Sequence, residues 1–104
     1  MTFDDLVEEF VGRPGVTPPA AHGTGFGSHA LKVDGRIFAM HVRDHLVVKL
    51  PRARVVELVA DGVGSPFDAN TGTPKKEWLT VLDESAWPIL AAEAYAFVGK
   101  ARAV

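Results

Sequence analysis

FGSHALKVDGRIFAMHVRDHLVVKL, residues Phe26 to Leu50, holds three short runs of β-branched and apolar residues. Asp34-Gly35 splits the first two, and Arg43-Asp44-His45 splits the second pair. Asp-Gly between alternating residues is a strong hairpin signal, because both central positions of a type I′ turn need positive φ. The stretch reads as three antiparallel strands in a meander. A two-residue turn at Asp34-Gly35 sets Val33 opposite Arg36, Leu31 opposite Phe38 and His29 opposite Met40.

The second connection allows two registers. A two-residue loop at Arg43-Asp44 sets Val42 opposite His45 and turns Leu46 away from Phe38 and Met40. A three-residue loop, Arg43 to His45, sets Val42 opposite Leu46. Leu31, Val33, Phe38, Met40, Val42, Leu46, Val48 and Leu50 then share one face. A one-residue slip turns a whole strand inside out, so the hydrophobic pattern selects the longer loop. The other face then carries Ala30, Lys32, Ile37, Ala39, His41, Val47 and Lys49. That mixed surface is of the kind antiparallel sheets turn to solvent or to a partner.

The flanks supply the cover. Upstream, Phe3, Leu6, Val7 and Phe10 make one apolar helical stripe, with Thr2 as N-cap and Asp5 in a capping-box position. Gly12 and Pro14 end that helix, and residues 13–25 form a Pro- and Gly-rich loop. Gly23, Gly25 and Gly27 precede a strand, whereas a nucleotide-binding glycine loop follows a strand and opens a helix, so no phosphate loop is expected. Downstream, Pro51 opens a second helix whose Val55, Leu58 and Val59 can face the core, and Gly62 suits its left-handed C-terminal position. A short edge strand around Phe67 and a strand through Trp78 and Thr80 form a second ribbon. The last helix starts near Ser85, with Pro88 in its first turn, and runs to about Arg102. The expected fold is α+β. An antiparallel sheet of about five strands carries an N-terminal, a middle and a C-terminal helix on one face.

The 104 residues suit one domain, 1–104, with a single core. No cysteine is present, which excludes disulfides, thiol catalysis and a cysteine zinc site. No apolar run reaches the length of a spanning helix and the first residues are acidic, so a soluble, cytoplasmic chain is expected. The formal charge is −2, unevenly spread: residues 22–54 hold six Lys and Arg against Asp34 and Asp44. A local basic region of this kind suits a polyanion.

Catalytic patterns are missing. His41 and His45 lie on a strand and its turn and do not converge, and no helical His-Glu metal motif occurs. Ser28 and Ser65 lack a nucleophile context, and Asp83-Glu84 read as helix caps. Neither an enzyme, a metal site nor a cofactor is expected.

Six stretches carry a family pattern: Phe26-Gly27, LKVDGRIFAMHV, HLVVKLP, GVGSPFD, KKEWLTV and AAEAYAFV. Together, from about Phe3 to Phe97, the chain resembles the N-terminal domain of TfoX/Sxy competence regulators and is similar to the related MmcQ/YjbR proteins. The resemblance implies a compact α+β domain with flanking helices. It also implies a small bacterial regulatory, transcription-associated module that binds DNA through two wings. Those wings would be the hairpins around Asp34-Gly35 and around Thr71 to Lys76. Full-length regulators carry a second, C-terminal domain whereas this sequence runs to Val104, so the competence role is not carried over.

Phosphate contacts on this reading fall to Lys32, Arg36, Arg43, Lys49, Lys75 and Lys76. Arg52 and Arg54, at the dipole-disfavoured start of the second helix, join them as anion-binding candidates. An alternative is a protein-interaction or homodimerisation domain using Ile37, Ala39 and Val47. A third is a small-ligand domain with its pocket between the sheet and residues 13–25.

Overall fold

The computed structural model describes residues 2–17, 30–67 and 75–100. The elements run α1 (Phe3–Val11), β1 (Val16–Thr17), β2 (Ala30–Val33), β3 (Arg36–Val42), β4 (His45–Lys49), α2 (Arg52–Ala60), β5 (Gly64–Phe67), β6 (Lys75–Val81), a 3-10 turn (Glu84–Ala86) and α3 (Trp87–Lys100). The six strands form one antiparallel sheet in the order β1-β2-β3-β4-β6-β5. The fold is α+β, with one strand more than expected: the added β1 is a two-residue edge beside β2. The second ribbon, β5–β6, joins the meander through β4.

The Asp34-Gly35 turn forms as read, with φ of 52° and 82° and Val33 opposite Arg36. Beyond it the register departs from expectation. Lys32 pairs with Ile37 but Leu31 pairs with Ala39, so Phe38 is the extra residue of a β-bulge. A bulge places two residues of one strand against one of its neighbour. Phe38 and Ala39 consequently both enter the main core, and Met40 moves to the other face, opposite Ala30.

The bulge decides the second connection. With the alternation reversed after Phe38, Val42 belongs with Val47 on the face away from the helices, and His41 sits opposite Leu46. The short loop therefore satisfies the hydrophobic pattern, and the three-residue loop is overturned: Val42 pairs with His45 across Arg43-Asp44. Both loop residues take positive φ, 51° and 66°, as a type I′ turn requires. The imidazole of His45 supports it, with Nδ1 donating to the carbonyl of Arg43 at 3.0 Å.

All three helices pack on one face of the sheet. Their Phe3, Leu6, Phe10, Val55, Leu58, Leu90, Ala94 and Val98 share a core with Leu31, Val33, Phe38, Leu46, Val48, Leu79 and Val81. Burying each large apolar side chain contributes about 1.5–3 kcal/mol. Each helix has a local cause for its ends. Gly62, at φ 77°, follows α2 in the left-handed conformation expected of it. Asp83 caps the 3-10 turn through Ser85 N–H and hydroxyl, so α3 begins two residues after Ser85, at Trp87. α2 and α3 are tied by Arg54, whose Nε and Nη2 donate to the two carboxylate oxygens of Glu93 at 3.0 Å each. Tyr95 on α3 donates its hydroxyl to the Pro14 carbonyl at 2.7 Å, pinning the chain after α1.

At α1 the capping box is complete: the Asp5 N–H donates to the Thr2 hydroxyl, and the Thr2 N–H donates to the Asp5 carboxylate. That backbone bond from Thr2 holds the Asp5 carboxyl below its ordinary value. A carboxyl lowered on folding stabilises the fold above its unfolded pKa, and the gain is lost as pH falls through its folded pKa. The melting temperature of the wild type should therefore exceed that of Asp5→Ala at neutral pH, with the gap closing under acid. A gap that stays constant to acid pH would remove Asp5 ionisation from the stability of α1.

Candidate nucleic-acid interface

Strand alternation sends Lys32 from β2, Ile37, Met40 and Val42 from β3, and Val47 and Lys49 from β4 to the face without helices. Trp78 and Thr80 of β6 and Phe67 of β5 join them. The expected membership of this face changes at Ala39 and His41, which lie on the helix side, and at Met40 and Val42, which replace them. Nor is the face a plain solvated surface. Ala30, Met40, Val47 and Phe67 are buried in a second apolar cluster, with Ile37, Val42 and Trp78 packed against it.

The cations divide between the two sides of the sheet. Lys32 and Lys49 stand on the strands either side of β3, flanking Ile37. Two strand spacings put their backbones about 10 Å apart. Lys49 Nζ lies 5.7 Å from the Trp78 ring centroid, and the Arg43 guanidinium lies 5.8 Å from that of Phe67. These rings hold the cations against the face at about 0.5–1 kcal/mol each. Arg36 is exposed at the Asp34-Gly35 turn, on the side of Val33, its partner. Lys76 is exposed on β6, where Lys75 pairs with Phe67.

Arg52 and Arg54 belong to the helix layer. Arg52 is exposed there, while Arg54 is committed to Glu93 and to Glu57. The Glu93 bond raises the Arg54 guanidinium above its ordinary pKa, with Glu57 adding to it against a desolvation penalty. The eight expected residues therefore do not make one surface. The fold gathers Lys32, Arg43 and Lys49 on the open sheet face.

No aspartate or glutamate sits at an open-face strand position among the described residues. Asp4, Asp5, Glu8 and Glu9 are on α1, Glu57 is on α2 and Glu93 on α3. Glu77 alternates away from Trp78, and Asp34 and Asp44 occupy turns at the rim. The sheet thus separates a carboxylate-rich helix layer from a face that carries cations.

Comparison with family models, with curated proteins and with solved structures finds no match to this chain.

Of the described histidines, His45 braces its turn and His41 serves packing. His41 stacks on Phe3 at 5.3 Å with rings 13° apart, and meets Trp87 edge-on at 6.3 Å. No group of three or more potential metal ligands occurs among the described residues. No helix there is long and apolar enough to cross a membrane. His22, His29, the glycines at 23, 25 and 27, and most of the second expected wing lie outside the described residues. Sequence reasoning missed the rings that hold Lys49 and Arg43. Trp78 was legible as a strand residue, but its place opposite Lys49 depends on β6 joining β4 rather than staying in a separate ribbon.

Proposed function

We propose that this chain is a small, non-enzymatic regulatory module that binds nucleic acid backbone through the open face of its sheet. One observation carries the reading: the fold puts Lys32, Arg43 and Lys49 on a face whose described strand positions hold no carboxylate, and turns the acidic α1 the other way. Charge of one sign gathered on one face favours an extended anion. The similarity to TfoX- and YjbR-like domains supports the same reading, with the Asp34-Gly35 hairpin as the wing at the edge of that face.

Anisotropy of a fluorescent DNA duplex tests it. With three phosphate contacts, raising salt fourfold from about 50 mM should weaken binding by about 40-fold. Lys32→Glu with Lys49→Glu should remove most of the affinity and cut that salt dependence to about 3.5-fold or less, the slope of the one remaining contact. Arg52→Glu, on the opposite layer, should leave binding near the wild-type value. Equal losses in the two variants would mean non-specific charge attraction and remove the sheet face from the reading.

The partly exposed Ile37, Val42 and Trp78 favour a second reading, a protein-docking or self-associating face. Sedimentation of Ile37→Glu against wild type separates it: a dimer that this change disrupts, without DNA binding, replaces the first reading.

A further inference from the structure

At the corner of the open face, where the β3–β4 turn meets β5, lies a pocket of about 320 Å³. Its floor is apolar, made by Val47 at 1% exposure and Phe67 at 3%. Around them stand Arg43, His45, Ser65 and Thr80. An apolar floor with a few polar groups is the usual make-up of a small-molecule site. The surroundings narrow what enters it. Val47 pairs with Thr80 at the pocket, and the next pair on the same face is Lys49 with Trp78. Two residues along a strand span about 7 Å. The pocket therefore adjoins a cation and an indole ring.

The polar groups are held by the sheet and its turn. Ser65 and Thr80 are direct partners in the β5–β6 ladder, and their hydroxyls can rotate to donate. The His45 ring is oriented by its bond to the Arg43 carbonyl. A carbonyl only accepts, so Nδ1 carries the proton, and in the neutral ring Nε2 is an acceptor. Arg43 is already engaged by another group, and its guanidinium lies 5.8 Å from the Phe67 ring centroid. It therefore offers a flat surface for stacking rather than a free charge. No carboxylate is among the described residues that line the space.

A ligand that suits these groups is flat and uncharged, with an N–H donor for His45 next to carbonyl acceptors for Ser65 and Thr80. The lactam edge of a thymine, uracil or guanine base has that pattern. Inside a duplex this edge is paired. In a single strand it is open, and proteins take such bases by stacking them on rings or guanidinium planes and bonding their Watson–Crick edges. We propose that this pocket takes one unpaired lactam base of a single strand, whose backbone continues to Lys49 beside Trp78. The proposal rests on the nucleic-acid reading and adds a base site to it: a duplex meets the cations alone, and a single strand meets the pocket as well.

Anisotropy with three fluorescent probes of equal length tests the proposal at one salt concentration: single-stranded oligothymidylate, single-stranded oligocytidylate and a mixed-sequence duplex. Cytosine presents a ring acceptor where thymine presents its N–H, so oligothymidylate should bind about tenfold more tightly than oligocytidylate, the cost of setting an acceptor against His45 Nε2. Thr80→Val with Ser65→Ala keeps side-chain shape on β6 and should remove most of that preference. Duplex binding by the same variant should stay at the wild-type value, which also shows that the sheet is intact. Lys49→Glu should weaken all three probes. Equal binding of the two single strands would overturn the base site and leave the nucleic-acid reading standing. A preference that survives Thr80→Val with Ser65→Ala would place the base elsewhere and also overturn it. So would free thymidine displacing the oligothymidylate at equal concentration, which makes the pocket a nucleoside site without a strand. Binding of none of the probes would remove both readings together.

Discussion

Replacing Phe38 by alanine should remove about 3–5 kcal/mol of unfolding free energy, the cost of emptying a large aromatic site that cannot collapse. Phe38 is fully buried, with its ring 5.7 Å from that of Phe10 and 5.6 Å from that of Tyr95. Those partners come from α1 and α3, so the ring joins both helices to the sheet. It is also the extra residue of the β3 bulge, so the strand has no regular position from which a neighbour could fill the gap. Domains of this kind have only about 5–15 kcal/mol to lose. Urea unfolding followed by far-UV circular dichroism should show a large fall in the midpoint. Phe38→Leu, which keeps most of the volume, should cost about 1.5 kcal/mol or less. If alanine cost no more than leucine, the ring would not be the junction that this geometry makes it.

A second large effect is expected at Gly64. The opening residue of β5 is buried, and a methyl group there would lie 2.6 Å from the Thr80 carbonyl oxygen and 2.7 Å from Leu79 Cδ1. The carbonyl belongs to β6, an interior strand held between β4 and β5, and has little room to retreat. Gly64→Ala should therefore destabilise by about 1–3 kcal/mol, as overpacking does. Hydrogen exchange should rise first in the β5–β6 ladder, because the sheet can relieve the clash by letting its edge strand go. Gly12→Ala is the matched control: at φ −81° with nothing within 4 Å, it should be neutral or gain up to about 1 kcal/mol. A Gly64→Ala protein as stable as the Gly12→Ala one would mean that β5 packs more loosely on β6 than described.

The contrast between the two turns of the meander shows what was readable. Asp34-Gly35 declares itself, because few dipeptides accept two positive φ values and this one does so at little cost. Arg43-Asp44 carries no such mark, since arginine is uncommon at positive φ, and its turn is backed by His45 instead. The bulge at Phe38 is silent in RIFAMHV, whose alternation reads the same with or without an extra residue. Apolar residues on both faces remove the penalty that would have exposed the error: Met40 and Val42 find a second cluster where solvent was expected. The helices were legible from their caps, Thr2 with Asp5 and Gly62 above all, since a cap is a local bond between neighbours. The candidate site was legible only as a list of cations. Which of them share a surface is a matter of register, and register was the part decided by the unseen bulge.

The strand order has a consequence for synthesis. A chain emerging from the ribosome completes β2, β3 and β4 early, each beside its sequence neighbour, but the place next to β4 belongs to β6, made after α2 and β5. Until then β4 offers an unpaired edge and β5 has nothing to pair with. Such exposed edges invite pairing with other nascent chains. In the finished sheet that edge is interior, and the outer strand that replaces it carries Pro66, which has no N–H to offer a newcomer. The nascent chain is therefore most vulnerable to wrong partners during the interval in which residues 50–81 are translated.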